Sequence, residues 1–433
     1  MFKRTKSIVR QLLLPLGIAA IACVGQAKAD EGMWLFNQLP IEQLKAKYGF
    51  EPTPQWAEHL MKSSVRFNVG GSASFISSNG LVLTNHHVAS DTLYKLSSEK
   101  ANYLDNGFLA KSFDEELKAP DLELNQLVEI VDVTDRVSAA VKPEMATSES
   151  AAARRAVIDE ISKESLKNTG LRSDVITLYG GGRYHLYRYK KYTDVRLVWA
   201  PESSIAFFGG DADNFEYPRF NLDATIFRVY ENGQPAKIDH YLKWSEKPLA
   251  ENDLIFVSGN PGRTNRIYTT AALQFQRDKR MPYTLNILRR REIALQQFGL
   301  RSVENARRAK DDLFGVQNSR KAYLGMLGGL QDPSVMQSKM KAEEELLKAI
   351  AADKSLAGAS DAIKSIAEIQ QQQGALLGKN ILLNTHVYTI AKTIVELVEE
   401  EQKPAREPHP EYSDAVGNRS SNNSTVKLRS MPT

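Results

Sequence analysis

The repeat of the apolar residues turns from mainly strand-like to helical near Thr269, and any fold must accommodate that change. Before it, a period of two marks strands over residues 65–133 and 175–230, and again at 254–258. Ala73 and Phe75 alternate on one side of Ser78-Asn79-Gly80 and Leu81 and Leu83 on the other, the pattern of a hairpin. One helix interrupts the strands over 151–168, with Val157, Ile158 and Ile161 on one face and Gly170 as its stop. After Thr269 the spacing is helical. Asp332-Pro333 is a cap followed by a first-turn proline, and Val335, Met336, Met340, Leu347 and Ile350 follow as packing positions. Ile363, Ile366, Ile369, Ile390, Ile394 and Leu397 continue the texture. The expected class is therefore β plus α, with strands dominating residues 30–268 and a mainly helical domain over 269–402. Residues 31–60 read as short helices or irregular chain, with Trp34, Leu35, Phe36 and Leu39 as packing candidates.

The two ends have a different texture. Lys3, Arg4, Lys6 and Arg10 precede a mostly apolar run over 12–24, and Ala27-Lys28-Ala29 is a small-residue cleavage site. Residues 1–29 are thus expected to be an export signal, which places the mature protein in the periplasm or outside the cell. Acylation at Cys23 is the weaker alternative, because Ala20 stands where a larger aliphatic residue is expected. Five of the 56 Lys and Arg residues lie in this segment and none of the 52 acids, so 51 basic residues remain against 52 acidic ones. A nearly neutral mature chain argues against a nucleic-acid partner, and the absence of a later long apolar run argues against a membrane span. Cys23 is the single cysteine, so the mature chain must be held by its core rather than by disulfides. Residues 403–433 turn proline-rich and then polar, and are expected to be a disordered tail.

Three words could carry chemistry. Leu83-Thr84-Asn85-His86-His87-Val88 follows the hairpin, a rigid place from which an imidazole can serve a hydroxyl. His87 fits as general base, His86 would fit if the strand ended one residue earlier, and a pair without chemistry is the plain alternative. A shared metal ion is disfavoured, since neighbours on extended chain point to opposite faces and no third ligand accompanies them. The second word runs from Phe207-Phe208-Gly209-Gly210-Asp211 through Asp213-Asn214-Phe215 to Tyr217-Pro218-Arg219. Its glycines permit a tight turn and its short acids and amides can cap, bind an ion or hold an amine; as a calcium ladder it is poor. Asp223, just before the strand-like Ala224-Thr225-Ile226-Phe227, could orient an imidazole. In the third word, Ser258-Gly259-Asn260-Pro261-Gly262, Ser258 lacks a nucleophile-loop context and Pro261 removes a donor.

Together with Glu31-Gly32-Met33-Trp34, these words stand in an order that resembles the bacterial dipeptidyl-peptidase seven and eleven family, serine exopeptidases of the chymotrypsin clan. The resemblance covers residues 30–400. It implies a chymotrypsin-like β-barrel, the first of a double barrel, carrying a large inserted helical domain. It implies His87 as general base and Asp223 as its orienting acid. Asn214, Phe215 and, from the helical region, Asn318 would hold the free α-amine of a peptide substrate, with no metal and no cofactor. Homodimers are among the implied states. Val88 departs from the cysteine that many relatives carry there. The family's serine lies in the second barrel, beyond the helical insert, so the resemblance also implies a chain that stops at Thr433 before its nucleophile, with an aberrant tail, and is inactive alone. A catalytically dead peptide-binding protein and a chymotrypsin-clan endoprotease are the alternatives.

Overall fold

The structure is a computed structural model that describes residues 32–68, 70–98, 100–262, 264–356, 358–379 and 386–401. The expected export signal, the acylation alternative at Cys23 and the expected disordered tail lie outside the described residues. Among the described residues, no helix is long and apolar enough to cross a membrane.

Contacts divide the chain into two compact units. The smaller comprises residues up to Glu51 and 245–257. It holds helix α1 (Ile41–Tyr48), closed by Gly49 in the left-handed conformation, and a Phe50–Phe256 ring contact at 5.3 Å. The strand expected at 254–258 does not form: this stretch makes no ladder, and Ile255 and Val257 are exposed. An apolar run can form a strand only where another strand's donors and acceptors meet it, and none of the described strands does so. Trp34 is likewise exposed rather than packed.

The larger unit begins with α2 (Pro54–Ser63), whose first turn is capped by the Thr53 hydroxyl. Strands β1 (Ser64–Phe67), β2 (Ser72–Phe75) and β3 (Leu81–Thr84) follow, then α3 (His86–Leu96) and α4 (Tyr103–Asn106). Next come β4 (Phe108–Leu109), β5 (Leu117–Lys118) and β6 (Leu124–Asp132), α5 (Thr134–Ala139) and α6 (Thr147–Thr169). The sheet is completed by β7 (Arg172–Leu178), β8 (Arg183–Tyr192), β9 (Asp194–Ala200), β10 (Thr225–Glu231) and β11 (Gln234–Pro235). All pairs are antiparallel, in the order β4-β9-β10-β3-β2-β1-β6-β8-β7, with β5 on β9 and β11 on β10.

The hairpin forms, but with the opposite phase in its second strand. Phe75 pairs with Val82, so Val82 and Thr84 share the buried face of Ala73 and Phe75, while Leu81 and Leu83 are half-buried. The length of the turn, which residue spacing alone does not reveal, sets this register. At the turn, Gly80 has φ +81° and a side chain there would meet the Val229 carbonyl at 2.8 Å. Phe67, Phe75, Val82, Leu124, Leu197 and Phe227 form the main core under β1–β3, β6, β9 and β10. The apolar face of α6 (Val157, Ile158, Ile161) covers a smaller cluster with Val137, Tyr184 and Leu186.

Inside the sheet, Glu116 accepts hydrogen bonds from Arg228 Nε (2.9 Å) and the Tyr230 hydroxyl (2.7 Å), and Arg228 also donates to the Asn79 carbonyl. Both charged groups are buried, so Glu116→Ala leaves a guanidinium without its counter-charge. Urea unfolding should show a loss of about 3–5 kcal/mol; a change below about 1 kcal/mol would mean water replaces the carboxylate freely.

The helical region begins with α7 (Thr270–Phe275), capped by Thr269, and continues through a π-helical turn into α8 (Met281–Gly299). Then come α9 (Val303–Gln331), α10 (Pro333–Ala352), α11 (Ala359–Leu376) and α12 (His386–Glu401). Asp332 caps α10 through the Ser334 amide. Helices α8 and α9 are tied by the buried Glu292, which meets Arg320 at 2.7 Å. Of the expected packing positions, Met336 and Ile350 are buried, whereas Val335, Met340, Ile366, Ile369 and Ile394 are exposed. Helical spacing locates a stripe, but burial also needs a neighbour over it, and no described element covers these residues.

Candidate functional site

Two adjacent strands bring the first pair of residues together. Strands β3 and β10 are antiparallel, with Thr84 opposite Thr225. The chain leaving β3 and the chain entering β10 therefore meet at one end of the sheet, which places His87 beside Asp223. His87 Nδ1 lies 2.7 Å from Asp223 Oδ2, and the His87 main-chain N–H donates to Asp223 Oδ1 at 3.0 Å. Asn85 adds its side-chain amide to the Asp223 carbonyl and to Oδ2, at 3.1 and 3.3 Å. An ionised Asp223 requires Nδ1 to carry a proton, which in the neutral ring leaves the lone pair on Nε2. Burial pushes the Asp223 carboxyl up, but hydrogen bonds from the His87 ring and main chain and the nearby charges of His87 and Arg219 outweigh it, leaving the carboxyl below its usual range.

His86 and His87 open α3 rather than ending the strand, so the extended-chain argument against a shared ion does not describe them. Their surroundings nevertheless differ. His87 is exposed, whereas His86 is buried and its Nε2 has no hydrogen-bond partner among the described residues. Among the described residues no group of three His, Cys, Asp or Glu side chains is placed to hold a metal ion. Burial holds His86 below the ordinary imidazole value of 6.5, against the opposing charge of Asp223 and a hydrogen bond to the Pro201 main chain. The unfolded chain therefore takes up more protons than the folded one below pH 6.5, and stability should fall as pH drops from that value. His86→Gln should flatten this part of a pH series of melting temperatures; an unchanged slope would assign the acid sensitivity elsewhere.

The second word forms a loop between β9 and β10. Gly209 has φ +101°, and a Cβ there would meet the main-chain oxygen of Phe314 on α9 at 2.8 Å, so glycine allows the loop to lie against that helix. The Gly209 amide donates to Asp211 Oδ1 (2.8 Å), and Phe220 N–H donates to Asp213 Oδ2 (2.7 Å). Asn214 is fully buried and its Nδ2 donates to Asn318 Oδ1 on α9 at 2.8 Å, and among the described residues Asn214 Oδ1 has no donor. A buried unpaired acceptor is costly, and an ammonium group is the kind of donor that would satisfy it. Phe215, next in sequence, is exposed and held at φ +62°. Lys321, one turn beyond Asn318, donates to the Ala212 carbonyl and pairs with Glu216 at 2.8 Å.

The structure thus joins His87 with Asp223, and Asn214 with Asn318, and places Phe215 on the rim of the same loop. Ser258 sits elsewhere, its Oγ 3.2 Å from Ser64 Oγ. Sequence reasoning gave no role to Asn85, Phe208, Arg219 or Lys321. Arg219 lies 3.0 Å from Asp211 Oδ2 without hydrogen-bond alignment, and Phe208 stacks on the His87 ring. The doubled aromatic before the two glycines was the only textual signal for that stack.

Fold and site define an antiparallel-sheet protein with a helical region, in which a carboxylate orients an imidazole at the head of a helix. The chain belongs to the peptidase S46 family, whose family model matches residues 29–431. It is 31% identical over 378 residues to a dipeptidyl-peptidase 7 of Phocaeicola vulgatus, covering 81% of this chain and 52% of that relative. It is 36% identical over 286 residues to an Asp/Glu-specific dipeptidyl-peptidase of Porphyromonas gingivalis, covering 60% of this chain and 39% of the relative. Its structure resembles that of Porphyromonas endodontalis DPP11 in complex with the dipeptide Arg-Glu, with a TM-score of 0.70 at 25% identity over 92% of this chain and 59% of the other. The chain therefore spans about half the length of the relatives it matches.

Proposed function

We propose that this chain carries the base, the orienting acid and the amine-binding part of a serine dipeptidyl-peptidase, which releases dipeptides from free N-termini. The observation that carries the reading is the pairing of His87 with Asp223 at the junction of β3 and β10, at the end of the loop that holds the buried Asn214. Among the described residues no hydroxyl hydrogen-bonds to the His87 ring, and the nucleophile on this reading comes from outside them. The sheet is the first of two chymotrypsin-like barrels, and the helices over 269–402 form a lid beside the amine site. An exported protein, periplasmic or secreted, follows from the leader-like N-terminus.

In the reaction, the hydroxyl oxygen attacks the second peptide carbonyl while its proton passes to His87 Nε2. Asp223 stabilises the resulting imidazolium through Nδ1–H. His87 then protonates the leaving amine, and water, deprotonated by the same ring, releases the dipeptide. The α-ammonium sits on Asn214 Oδ1, with Asn318 completing the acceptors and Phe215 at the edge, which fixes the distance from N-terminus to scissile bond. The P. endodontalis homologue bound to a dipeptide supports this class of ligand.

A second reading, peptide binding without chemistry, is favoured by the same lack of a hydroxyl at the described His87 ring. Calorimetry on the 433-residue chain with free and N-acetylated tripeptides tests the amine site common to both: only the free peptide should bind. Equal binding, or none, removes the site. Dipeptide release by protein that includes the hydroxyl-bearing segment then separates peptidase from binder.

A further inference from the structure

We infer that Phe208 is a positioning residue for His87, an inference that rests on reading His87 as the general base. The Asp223 hydrogen bond grips the imidazole by one edge only, and a single in-plane contact lets the ring rock about that bond. Phe208 removes this freedom. Its ring lies face to face with the imidazole, centroids 4.0 Å apart and planes 14° apart. With Nδ1 held by the carboxylate and one face covered, the direction of the Nε2 lone pair is fixed. A base must point within roughly 10–20° of its target to be effective.

Phe208 is itself held on several sides. The Arg219 guanidinium lies over its ring, 5.5 Å from the centroid, and is kept there by Asp211 at 3.0 Å. Phe207 packs edge-on against Phe314 of α9, with ring centroids 4.8 Å apart. Gly209 follows immediately, pressed against the Phe314 main chain. The loop that presents Asn214 to the amine site therefore also presents Phe208 to the base, so one rigid segment sets both ends of the span between α-amine and reacting carbonyl. The π-face further suits the imidazolium that forms during proton transfer.

The test compares Phe208→Leu, which keeps apolar bulk without a π-face, with Phe208→Tyr, which keeps the ring. In NMR spectra of the 433-residue chain, the His87 ring protons should show an upfield ring-current displacement that is lost in the Leu variant and kept in the Tyr variant. This arm reads the stack whether or not the protein is a peptidase. In the catalytically complete protein, Phe208→Leu should lower kcat roughly 10–100-fold with KM within about twofold, since small misplacements of reacting groups cost on that scale; Phe208→Tyr should restore it. Should the Leu variant not fold, Phe208→Met supplies the same comparison. An unchanged kcat in the variants without a ring, a loss confined to KM, or failure of Tyr to restore the rate would overturn the inference. Wild-type protein that includes the hydroxyl-bearing segment and shows the ring-current shift, yet releases no dipeptide, would instead overturn the peptidase reading.

Discussion

Asp223→Asn is expected to reduce dipeptide release about 10⁴-fold while leaving peptide binding intact. The side chain keeps its shape, and its remaining oxygen can still accept the His87 main-chain N–H. Its amide, however, turns a donor toward Nδ1 in place of the acceptor now 2.7 Å away. The imidazole must then carry its proton on Nε2, which is the wrong tautomer for taking a proton from a hydroxyl. The loss should appear in kcat, measured on the catalytically complete protein, with little change in calorimetric affinity for a free tripeptide. Activity within tenfold of wild type would mean that Asp223 does not orient the base.

The second large effect is expected at the amine site. Asn214→Leu removes the buried acceptor and strands the Asn318 side chain, whose present partner is the Asn214 amide at 2.8 Å. An ammonium brought into such a site without its acceptor costs about 2–5 kcal/mol, so affinity for free N-terminal peptides should fall roughly 30- to 4,000-fold. Asn318→Leu should act in the same direction, and the double variant should lose much less than the product of the two, because the amides form one unit. N-acetylated peptide should bind neither the wild type nor these variants. Independent, fully additive effects would place the α-amine elsewhere.

Much of this arrangement was legible in the sequence, and the unread part has physical causes. The hairpin, the helix now seen as α6 and the helical region were visible because each repeats over many residues. The phase of β3 was not, since a turn's length shifts every side chain to the opposite face. The apolar stretch at 254–258 reads as a strand because strand propensity is local, while a ladder needs a partner. At the site, His87 and Asp223 were singled out through their words, and Asn214, Phe215 and Asn318 through the family resemblance. What pattern could not give was contact at long range. The Asn85 bond to Asp223, the Lys321 bond to Ala212 and the Phe208 stack each join residues more than 100 positions apart in sequence. Such pairings become apparent only when β3, β10 and α9 are in place. The exposed stripe on α10–α12 shows the converse: periodicity marks a face without saying what covers it.

The most direct test of the central claim is a structure of the catalytically complete protein after reaction with a dipeptidyl phosphonate, which bonds to the attacking hydroxyl. The account predicts His87 Nε2 within about 2.6–3.2 Å of that oxygen, Asp223 still on Nδ1, and the inhibitor's α-amine against Asn214. A modified hydroxyl remote from the His87 ring, or an inhibitor whose N-terminus lies away from Asn214, would contradict it.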